Sequence, residues 1–258
     1  MPEGDTVHRT ARRLADALVG HEVTRFDIRV PRSATADLRG EEVVAVVSRG
    51  KHLLERIGAW TLHSHLKMEG RWDVYRPGQR WAAPTHAARA VVGTAHAETV
   101  GFHLALVEVL PTADEDRIVG HLGPDPLGPD WDAAEAARRL GADPRAAHVA
   151  LLDQRNVAGF GNEYANEMLF VRGIPPTRPA AEIDAAALLD VGVRMIRANL
   201  SRPARTFTGD SRPGRRTWVY RREGKPCRRC GATILAGSLG ATATSERNVF
   251  WCPVCQSP

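Results

Sequence analysis

Apolar residues near the N-terminus recur at the spacing of one helix face. They are Val7, Ala11, Leu14 and Leu18, and they predict a helix that spans them. Asp5 stands where a carboxylate can cap the first turn, and Gly20 stands where a helix commonly ends. The sequence therefore predicts that a single helix leads the chain.

From Val23 to Leu110 the pattern changes to short β-branched runs that turn residues separate. Such runs are typical of β-strands. Four of them stand out: Val43 to Val47, Leu53 to Ile57, Trp60 to His65 and Val107 to Leu110. Together with the leading helix, these runs predict a β-rich first domain.

Beyond Pro111 the chain is turn-rich as far as Pro129, and it then becomes rich in Ala, Leu and Arg. This later stretch predicts helices at residues 132–140, 144–155, 163–171 and 182–199. A cysteine-bearing tail follows the helices. We therefore expect a multi-domain α+β protein with three modules, at residues 1–122, 123–222 and 223–258.

The composition is that of an ordinary globular protein, with 43% hydrophobic and 25% charged residues in 258. No apolar run is long enough to span a membrane, and the N-terminus lacks the apolar stretch of a signal peptide. These features predict a cytoplasmic chain with no membrane partner. Nothing in the sequence calls for an oligomer, so we expect a monomer.

Positive charge is concentrated in one segment of the chain. Residues 202–229 contain ten Arg or Lys and two Asp or Glu, a local charge of +8 in a chain of net charge +5. A patch of this kind is typical of a protein that binds a polyanion. The alternative is a solvated basic face without a partner.

All four cysteines lie in the tail, as the Cys-x-x-Cys pairs Cys227/Cys230 and Cys252/Cys255. Two such pairs on a β-hairpin suit a tetrahedral zinc site, and the spacing predicts a long hairpin loop at 236–245. Disulfide bonds are the alternative, which a cytosolic location disfavours. Four thiolates leave no open position on the metal, so the zinc is expected to be structural.

A turn with two glycines, Gly159 and Gly161, joins two of the predicted helices. Glycine permits a tight turn and a close approach of a ligand to the backbone. Asn162 is placed to cap the second helix, whose N-terminal end favours an anion. The turn is therefore a candidate phosphate clamp, with a simple corner between helices as the alternative.

Three further residues carry candidate chemistry. Removal of Met1 would expose the amine of Pro2, and a secondary amine that attacks an aldehydic carbon gives an iminium ion. Glu3 can then act as a general acid if its surroundings exclude water. Lys51, at a predicted turn after Arg49-Gly50, can bind phosphate or move protons. Taken singly, each of the three is more often an ordinary structural or surface residue.

Together and in this order, the motifs resemble those of the formamidopyrimidine-DNA glycosylase/endonuclease VIII family. The segments Pro2 to Thr6, Arg49 to Leu53 and His63 to Gly70 resemble its N-terminal motif, its lysine hairpin and its void-filling loop. His121 to Leu127 resembles the interdomain linker, Leu151 to Glu167 the helix–two-turn–helix, and the tail with Arg247 the zinc finger.

The resemblance implies an N-terminal β-sandwich, a helical helix–two-turn–helix domain and a C-terminal zinc β-hairpin finger. It further implies a bifunctional DNA glycosylase and apurinic/apyrimidinic (AP) lyase of base-excision repair, bacterial and associated with the nucleoid, that flips the damaged nucleotide out. The implied catalytic residues are Pro2, Glu3, Lys51 and Arg247, and the implied ligands of structural Zn2+ are the four cysteines. The implied DNA-binding residues are His65, Lys67, Met68, His121, Asn162 and Glu167.

Two departures from the family pattern favour the endonuclease VIII branch and oxidised pyrimidines. Residues 98–103 lack the Arg with which formamidopyrimidine-DNA glycosylases read the opposite base, and residues 206–218 are few for a loop that covers an oxidised purine. Weak contacts to the opposite strand would also suit single-stranded or bubble DNA. The alternative function is that of a non-catalytic, zinc-containing protein that binds damaged DNA.

Overall fold

A computed structural model describes residues 2–202, 204–240, 242 and 246–257. The chain divides into two compact units, Met1–His121 and Leu122–Pro258. The separation of a helical module from a zinc module at residue 222 stays a prediction. None of the helices in the described ranges combines the length and the apolar character that a membrane span requires.

The first unit starts with helix α1 (Gly4–Leu18), whose predicted apolar positions all face the core. The expectation that Asp5 caps this helix is wrong, because the helix begins two residues earlier than the pattern suggests. Glu3 occupies the N-cap position, and Asp5 is buried in the first turn. Gly20 follows the helix with a φ of 78°, a conformation that glycine adopts without strain.

Eight strands form two four-stranded antiparallel sheets in the first unit. One sheet has the order β1 (Arg25–Ile28), β6 (Ala88–Gly93), β7 (Glu98–Phe102), β5 (Arg71–Tyr75). The other has the order β2 (Val43–Arg49), β3 (His52–Ile57), β4 (Trp60–His65), β8 (Leu106–Pro111) and contains the four strands predicted from the sequence. Apolar residues of both sheets and of α1 share one core, which makes the unit a β-sandwich.

One charged side chain, Glu55, lies inside this core. It is fully buried on β3 and pairs across the sheet with Val46 and Leu62. Neither of its carboxylate oxygens has a hydrogen-bond partner in the part of the chain that the structure describes. Burial raises the pKa of Glu55 to about 8, so the folded protein favours the protonated, uncharged form of this group at neutral pH.

We expect Glu55→Leu to raise the free energy of unfolding by about 3 kcal/mol at pH 7. The pKa of Glu55 is about 8 in the folded chain and 4.5 for an ordinary glutamate, so the wild type loses stability as the pH rises between these values. The gain from the substitution should therefore be small near pH 4.5, grow up to pH 8 and then level off. Urea unfolding across this range measures it, with the exposed Glu42→Leu as control. A gain that does not change with pH would contradict the prediction.

A short helix, α2 (Asp116–Val119), lies in the segment expected to be a turn-rich linker, near the end of the first unit. The second unit contains all four predicted helices, with adjusted bounds: α3 (Ala133–Gly141), α4 (Ala147–Leu152), α5 (Asn162–Arg172) and α6 (Ala185–Ala198). Helix α4 is shorter than predicted, because Asp153 is extended and starts the turn that leads to α5. The buried faces of these helices form one core.

The tail of the second unit forms an antiparallel hairpin of β9 (Leu235–Leu239) and β10 (Arg247–Trp251). Strand β9 takes up the first part of the loop predicted at 236–245, and residues 241 and 243–245 lie outside the described ranges. A small apolar cluster supports the hairpin, with members Phe170, Val219, Cys227, Ile234, Phe250 and Cys252. The hairpin is thus packed against α5.

Candidate active site

Pro2 and Glu3 lie at the N-terminal end of α1. The backbone carbonyl of Glu3 accepts the N–H groups of Thr6 (2.9 Å) and Val7 (3.1 Å), which starts the helix. The side chain of Glu3 is fully buried, whereas Pro2 is partly exposed. Met1 lies outside the described residues. The geometry places a carboxyl group shielded from water directly next to a residue that solvent can reach.

Lys51 lies in the two-residue turn between β2 and β3. Gly50, the first turn residue, has a φ of 59°, as a type II′ hairpin turn requires. Helix α1 contacts the end of β2 that leads into this turn, since His8 Nδ1 and Ser48 Oγ are 3.3 Å apart. Because His8 is near the start of α1 and Ser48 near the end of β2, the N-terminus and the Lys51 turn share one edge of the β-sandwich.

His65 lies at this edge as well, because it pairs across the sheet with His52, the neighbour of Lys51. Its Nδ1 accepts the backbone N–H of Lys67 at 2.9 Å, so the neutral ring carries its proton on Nε2. Burial, followed by the positive charges of Lys67 and Lys51, lowers the pKa of His65 to about 4. At neutral pH the ring is therefore an uncharged N–H donor, which suits a phosphate oxygen.

Met68 projects from the turn between β4 and β5. It is 62% exposed, which is a high value for a large apolar residue. Lys67, next to it, has a φ of 51°, a left-handed conformation that is uncommon outside glycine. An exposed apolar side chain on a tightly shaped turn can insert between stacked bases.

Two more histidines lie close to the Lys51 edge. Burial, followed by the positive charges of His63, His65 and His121, lowers the pKa of His52 to about 3. The predicted DNA-binding residue His121 is exposed at the end of the first unit and is near enough to act on His52. His52 and His63 were not singled out by the sequence. The alternation Thr61, His63, His65 along β4, which puts three polar groups on one face, is the signal that could have found His63.

In the second unit, Asn162 connects the helices to the hairpin. It is the first residue of α5, and the expectation that it caps the helix is wrong, because Gly161 is the N-cap. The Asn162 side chain is engaged elsewhere: Oδ1 lies 2.8 Å from His148 Nε2, and Nδ2 donates to the carbonyl of Asn248 at 2.9 Å. Asn162 therefore ties α4, α5 and β10 together.

Glu167 is fully buried on α5. Its carboxylate accepts the backbone N–H groups of Trp218 (2.8 Å), Val219 (3.0 Å) and Tyr220 (2.8 Å). Burial raises the pKa of Glu167 to about 7, although the three donors oppose this shift. The observed role of Glu167 is to hold the segment 218–220 on the helix.

The basic segment 202–229 is only partly a free charged surface. Arg222 is buried, Arg205 forms a 2.7 Å ion pair with Glu163, and Arg228 donates to two backbone carbonyls. Six cations of the segment are exposed: Arg212, Arg215, Arg221, Lys225, Arg228 and Arg229. Some of the positive charge counted in the sequence therefore stabilises the loop itself.

The four cysteines come together as predicted, with all of their Sγ atoms within 4.8 Å of one another. The pairs Cys227/Cys255 and Cys230/Cys252 have Sγ separations of 3.9 and 3.4 Å, far longer than a disulfide bond. Ligands about 2.3 Å from a tetrahedral ion have separations of this size. Backbone N–H groups also approach the Sγ atoms of Cys227 and Cys252 at 3.4 Å. The donor set therefore fits a metal ion that prefers four thiolates.

Arg247 begins strand β10 and pairs across the hairpin with Leu239. Its guanidinium donates to the carbonyl of Glu246 at 2.8 Å, and the residue is exposed. The strand that carries it is fixed from α5, because Asn166 Oδ1 accepts the N–H of Phe250 at 2.6 Å. The hairpin thus presents a cation to solvent from a supported strand.

A β-sandwich with a leading helix, followed by paired helices and a four-cysteine hairpin, is the architecture of DNA glycosylases of the helix–two-turn–helix class. Residues 1–109 match the formamidopyrimidine-DNA glycosylase N-terminal domain, and residues 122–204 match the formamidopyrimidine-DNA glycosylase H2TH domain. The chain belongs to the formamidopyrimidine-DNA glycosylase family, which confirms the resemblance seen in its motifs.

Similar proteins place the chain near the endonuclease VIII branch. It is 49% identical to the "Probable endonuclease 8 2" of Streptomyces coelicolor, over 100% of this chain and 94% of that protein. It is also 49% identical to the "DNA-(apurinic or apyrimidinic site) lyase Nei2" of Mycolicibacterium smegmatis, over 100% of this chain and 99% of that protein. The "Endonuclease 8 2" of Mycobacterium tuberculosis is 46% identical, over 99% and 100%.

Solved structures agree on the fold. The Lactococcus lactis Fpg in complex with an abasic site containing DNA has a TM-score of 0.82 at 24% identity, with complete coverage of both chains. A structure of MutM in complex with DNA that contains carbocyclic 8-oxo-G has the same TM-score, identity and coverage. At this identity the likeness establishes the architecture.

Proposed function

We propose that this protein is a bifunctional DNA glycosylase and AP lyase of base-excision repair, with Pro2 as its nucleophile. The observation that carries the proposal is the edge of the β-sandwich where Pro2, with the buried Glu3, lies on the same side as the Lys51 turn. An amine, a shielded carboxyl group and a lysine are the groups that base release and strand cleavage need. The names of the similar proteins, an AP-site lyase and endonucleases 8, support this function.

In the proposed reaction, the amine nitrogen of Pro2 bonds to C1′ of the flipped nucleotide while Glu3 gives a proton to the departing base. The C1′–O4′ bond of the sugar then breaks, O4′ takes up the proton that the amine has lost, and the nitrogen and C1′ form an iminium ion that acidifies C2′. Loss of a proton there expels the phosphate on the 3′ side, and a second elimination expels the phosphate on the 5′ side. Lys51 assists the first elimination, and Arg247 assists the second.

The proposed DNA contacts use groups of both units. His65, Lys67 and His121 bind phosphates, and Met68 fills the gap that the flipped nucleotide leaves. In the second unit, the N-terminal end of α5 at Asn162 favours a phosphate. Glu167 contributes indirectly, because it holds residues 218–220 in place.

The four-cysteine site is proposed to hold one structural Zn2+ ion. Its role is to fold the hairpin that carries Arg247, and none of the chemical steps passes through the metal. The missing Arg at 98–103 and the few residues at 206–218 favour oxidised pyrimidines as substrates, in duplex or in single-stranded and bubble DNA.

The decisive experiment is covalent trapping. The processed protein, which begins at Pro2, is incubated with DNA that contains an abasic site in the presence of borohydride, which reduces an iminium ion to a stable amine. We expect a cross-linked product, with mass spectrometry locating the attachment on the nitrogen of Pro2. A second preparation with one additional residue before Pro2 lacks the secondary amine and should give no product.

The outcome separates the enzyme from its alternative. If processed, metal-loaded protein binds the DNA in a salt-sensitive way and yields no adduct, the chain is a non-catalytic protein that binds damaged DNA. An adduct on a lysine instead of Pro2 would keep the lyase activity but contradict the assignment of the nucleophile.

A further inference from the structure

A hydrogen-bonded chain of three side chains runs across the sheet from the Lys51 edge. His52 Nδ1 lies 2.8 Å from His63 Nε2, and His63 Nδ1 lies 2.8 Å from Glu108 Oε1. The planes of the His52 and His63 rings are within 21° of parallel and the centroids are 5.0 Å apart, so the two rings meet edge to edge. Glu108, on β8, is the direct cross-strand partner of His63, so the register of the sheet holds the chain in place.

The carboxylate at one end determines which nitrogen donates and which accepts in each of these hydrogen bonds. An ionised Glu108 can only accept, so Nδ1 of His63 carries a proton, and Nε2 of His63 accepts the Nδ1–H of His52. The neutral ring of His52 then has its second nitrogen, Nε2, as a base. No hydrogen bond to this Nε2 occurs within the described ranges.

The His52 end of this hydrogen-bonded chain lies next to His65, the candidate phosphate ligand. The ring of His52 meets that of His65 at a near right angle, with the centroids 5.2 Å apart. Burial and nearby positive charges keep the pKa of both rings low, so both are neutral in the absence of DNA. The titratable and charged groups that face this hydrogen-bonded chain from its own and the surrounding elements are Arg32, which lies 3.9 Å from Glu108 Oε2, and Lys51, His65, Lys67, Glu115 and His121.

A docked phosphate would instead favour the protonated form of His52. It adds a negative charge at the end where lysines now oppose protonation, and a nearby opposite charge favours the protonated ring. A proton taken up on Nε2 of His52 gives an imidazolium whose Nδ1–H donates to His63, and His63 in turn donates to Glu108. The pair of histidines would then have an anion at each end.

We propose that the Glu108–His63–His52 chain is a positioning unit that takes up one proton when a DNA phosphate docks beside His65. The proposal rests on the DNA-binding function proposed above. His63 and Glu108 contact no substrate and act through His52. The consequence is that the affinity for DNA depends on pH through these three residues.

The test measures binding of a duplex that contains a stable abasic-site analogue from pH 4.5 to 7.5. Calorimetry in two buffers of different ionisation enthalpy counts the protons taken up. Because a nearby phosphate raises a pKa of about 3 by roughly one to three units, we expect the wild type to take up close to one proton per complex near pH 4.5 and much less above pH 6. Across this range the affinity should fall by up to about tenfold per pH unit as the pH rises. Glu108→Gln keeps an accepting oxygen but removes the charge, so we expect the midpoint of the fall to move down by about one pH unit.

Two further variants complete the test. His86→Leu, which removes an exposed histidine of the same unit, should leave the pH profile unchanged. His63→Leu interrupts the chain and should abolish the uptake, with thermal unfolding as the check that the sandwich is intact. Because the amine of Pro2 also titrates near pH 8, the difference between the wild type and Glu108→Gln assigns the proton.

The result that overturns the proposal is an identical pH profile for the wild type and Glu108→Gln, or wild-type binding without proton uptake. Either result leaves the proposed function standing if the same protein still forms the Pro2 adduct. Loss of both DNA binding and adduct formation in the wild type would instead contradict the proposed function.

Discussion

Glu3→Gln is expected to slow the release of an oxidised base by roughly 10²–10⁴-fold and to leave cleavage at a preformed abasic site largely intact. Glutamine fits the space of this fully buried side chain, but its amide cannot give a proton to the departing base. An abasic site has no base to expel, so its cleavage depends on the amine and on the elimination steps. The substitution should therefore separate the two activities.

Single-turnover rates on two duplexes measure this separation, one duplex with an oxidised pyrimidine and the other with an abasic site at the same position. The ratio of the two rates cancels any general loss of folding or of DNA binding. Glu22→Gln, at an exposed position of the same unit, is the matched control and should retain both rates. Equal losses on both substrates would show that Glu3 supports the site without acting as the general acid.

The strands that could be predicted are those with continuous β-branched runs. Val43 to Val47 and Trp60 to His65 fall within β2 and β4, since such runs have few alternatives inside a sandwich. Strands β6 (ARAVVG) and β7 (ETVGF) were missed because a glycine weakens the pattern of each, and strands β1 (RFDI) and β5 (RWDVY) were missed because charged residues interrupt their apolar positions. Strands β1 and β5 form because β6 and β7, which lie between them, provide backbone partners and burial.

The candidate site residues also divide into those that a local motif indicates and those that only the fold brings together. The Cys-x-x-Cys pairs are contiguous motifs, so local sequence was sufficient to predict that the four thiols meet. Pro2 and Glu3 became candidates only through the resemblance of the ordered motifs to the family. The contact between His63 and Glu108 joins residues 45 positions apart and depends on the register of two strands, which no local pattern contains. The engagement of Asn162 with His148 and Asn248 is likewise a product of tertiary packing.

Removal of the metal is expected to unfold the hairpin and to abolish efficient cleavage of DNA. Strand β9 is largely exposed and the supporting apolar cluster is small, so apolar burial alone cannot fold this segment. In isolated zinc fingers a structural zinc contributes on the order of 10 kcal/mol to folding. We therefore expect Cys230→Ser to lower the zinc content from one ion per chain to below half and to destabilise residues 227–257.

Metal analysis, hydrogen exchange of the tail and cleavage of abasic DNA provide the three measurements. Val254→Ser is the matched control, because Val254 lies within the second cysteine pair, is 61% exposed and offers no ligand. Loss of the hairpin would also remove the Phe250 N–H from Asn166 and the Asn248 carbonyl from Asn162, so protection should fall at the start of α5 as well. A Cys230→Ser protein that retains one zinc ion and a protected tail would contradict the four-thiolate site, as would disulfide-linked cysteines in the wild type.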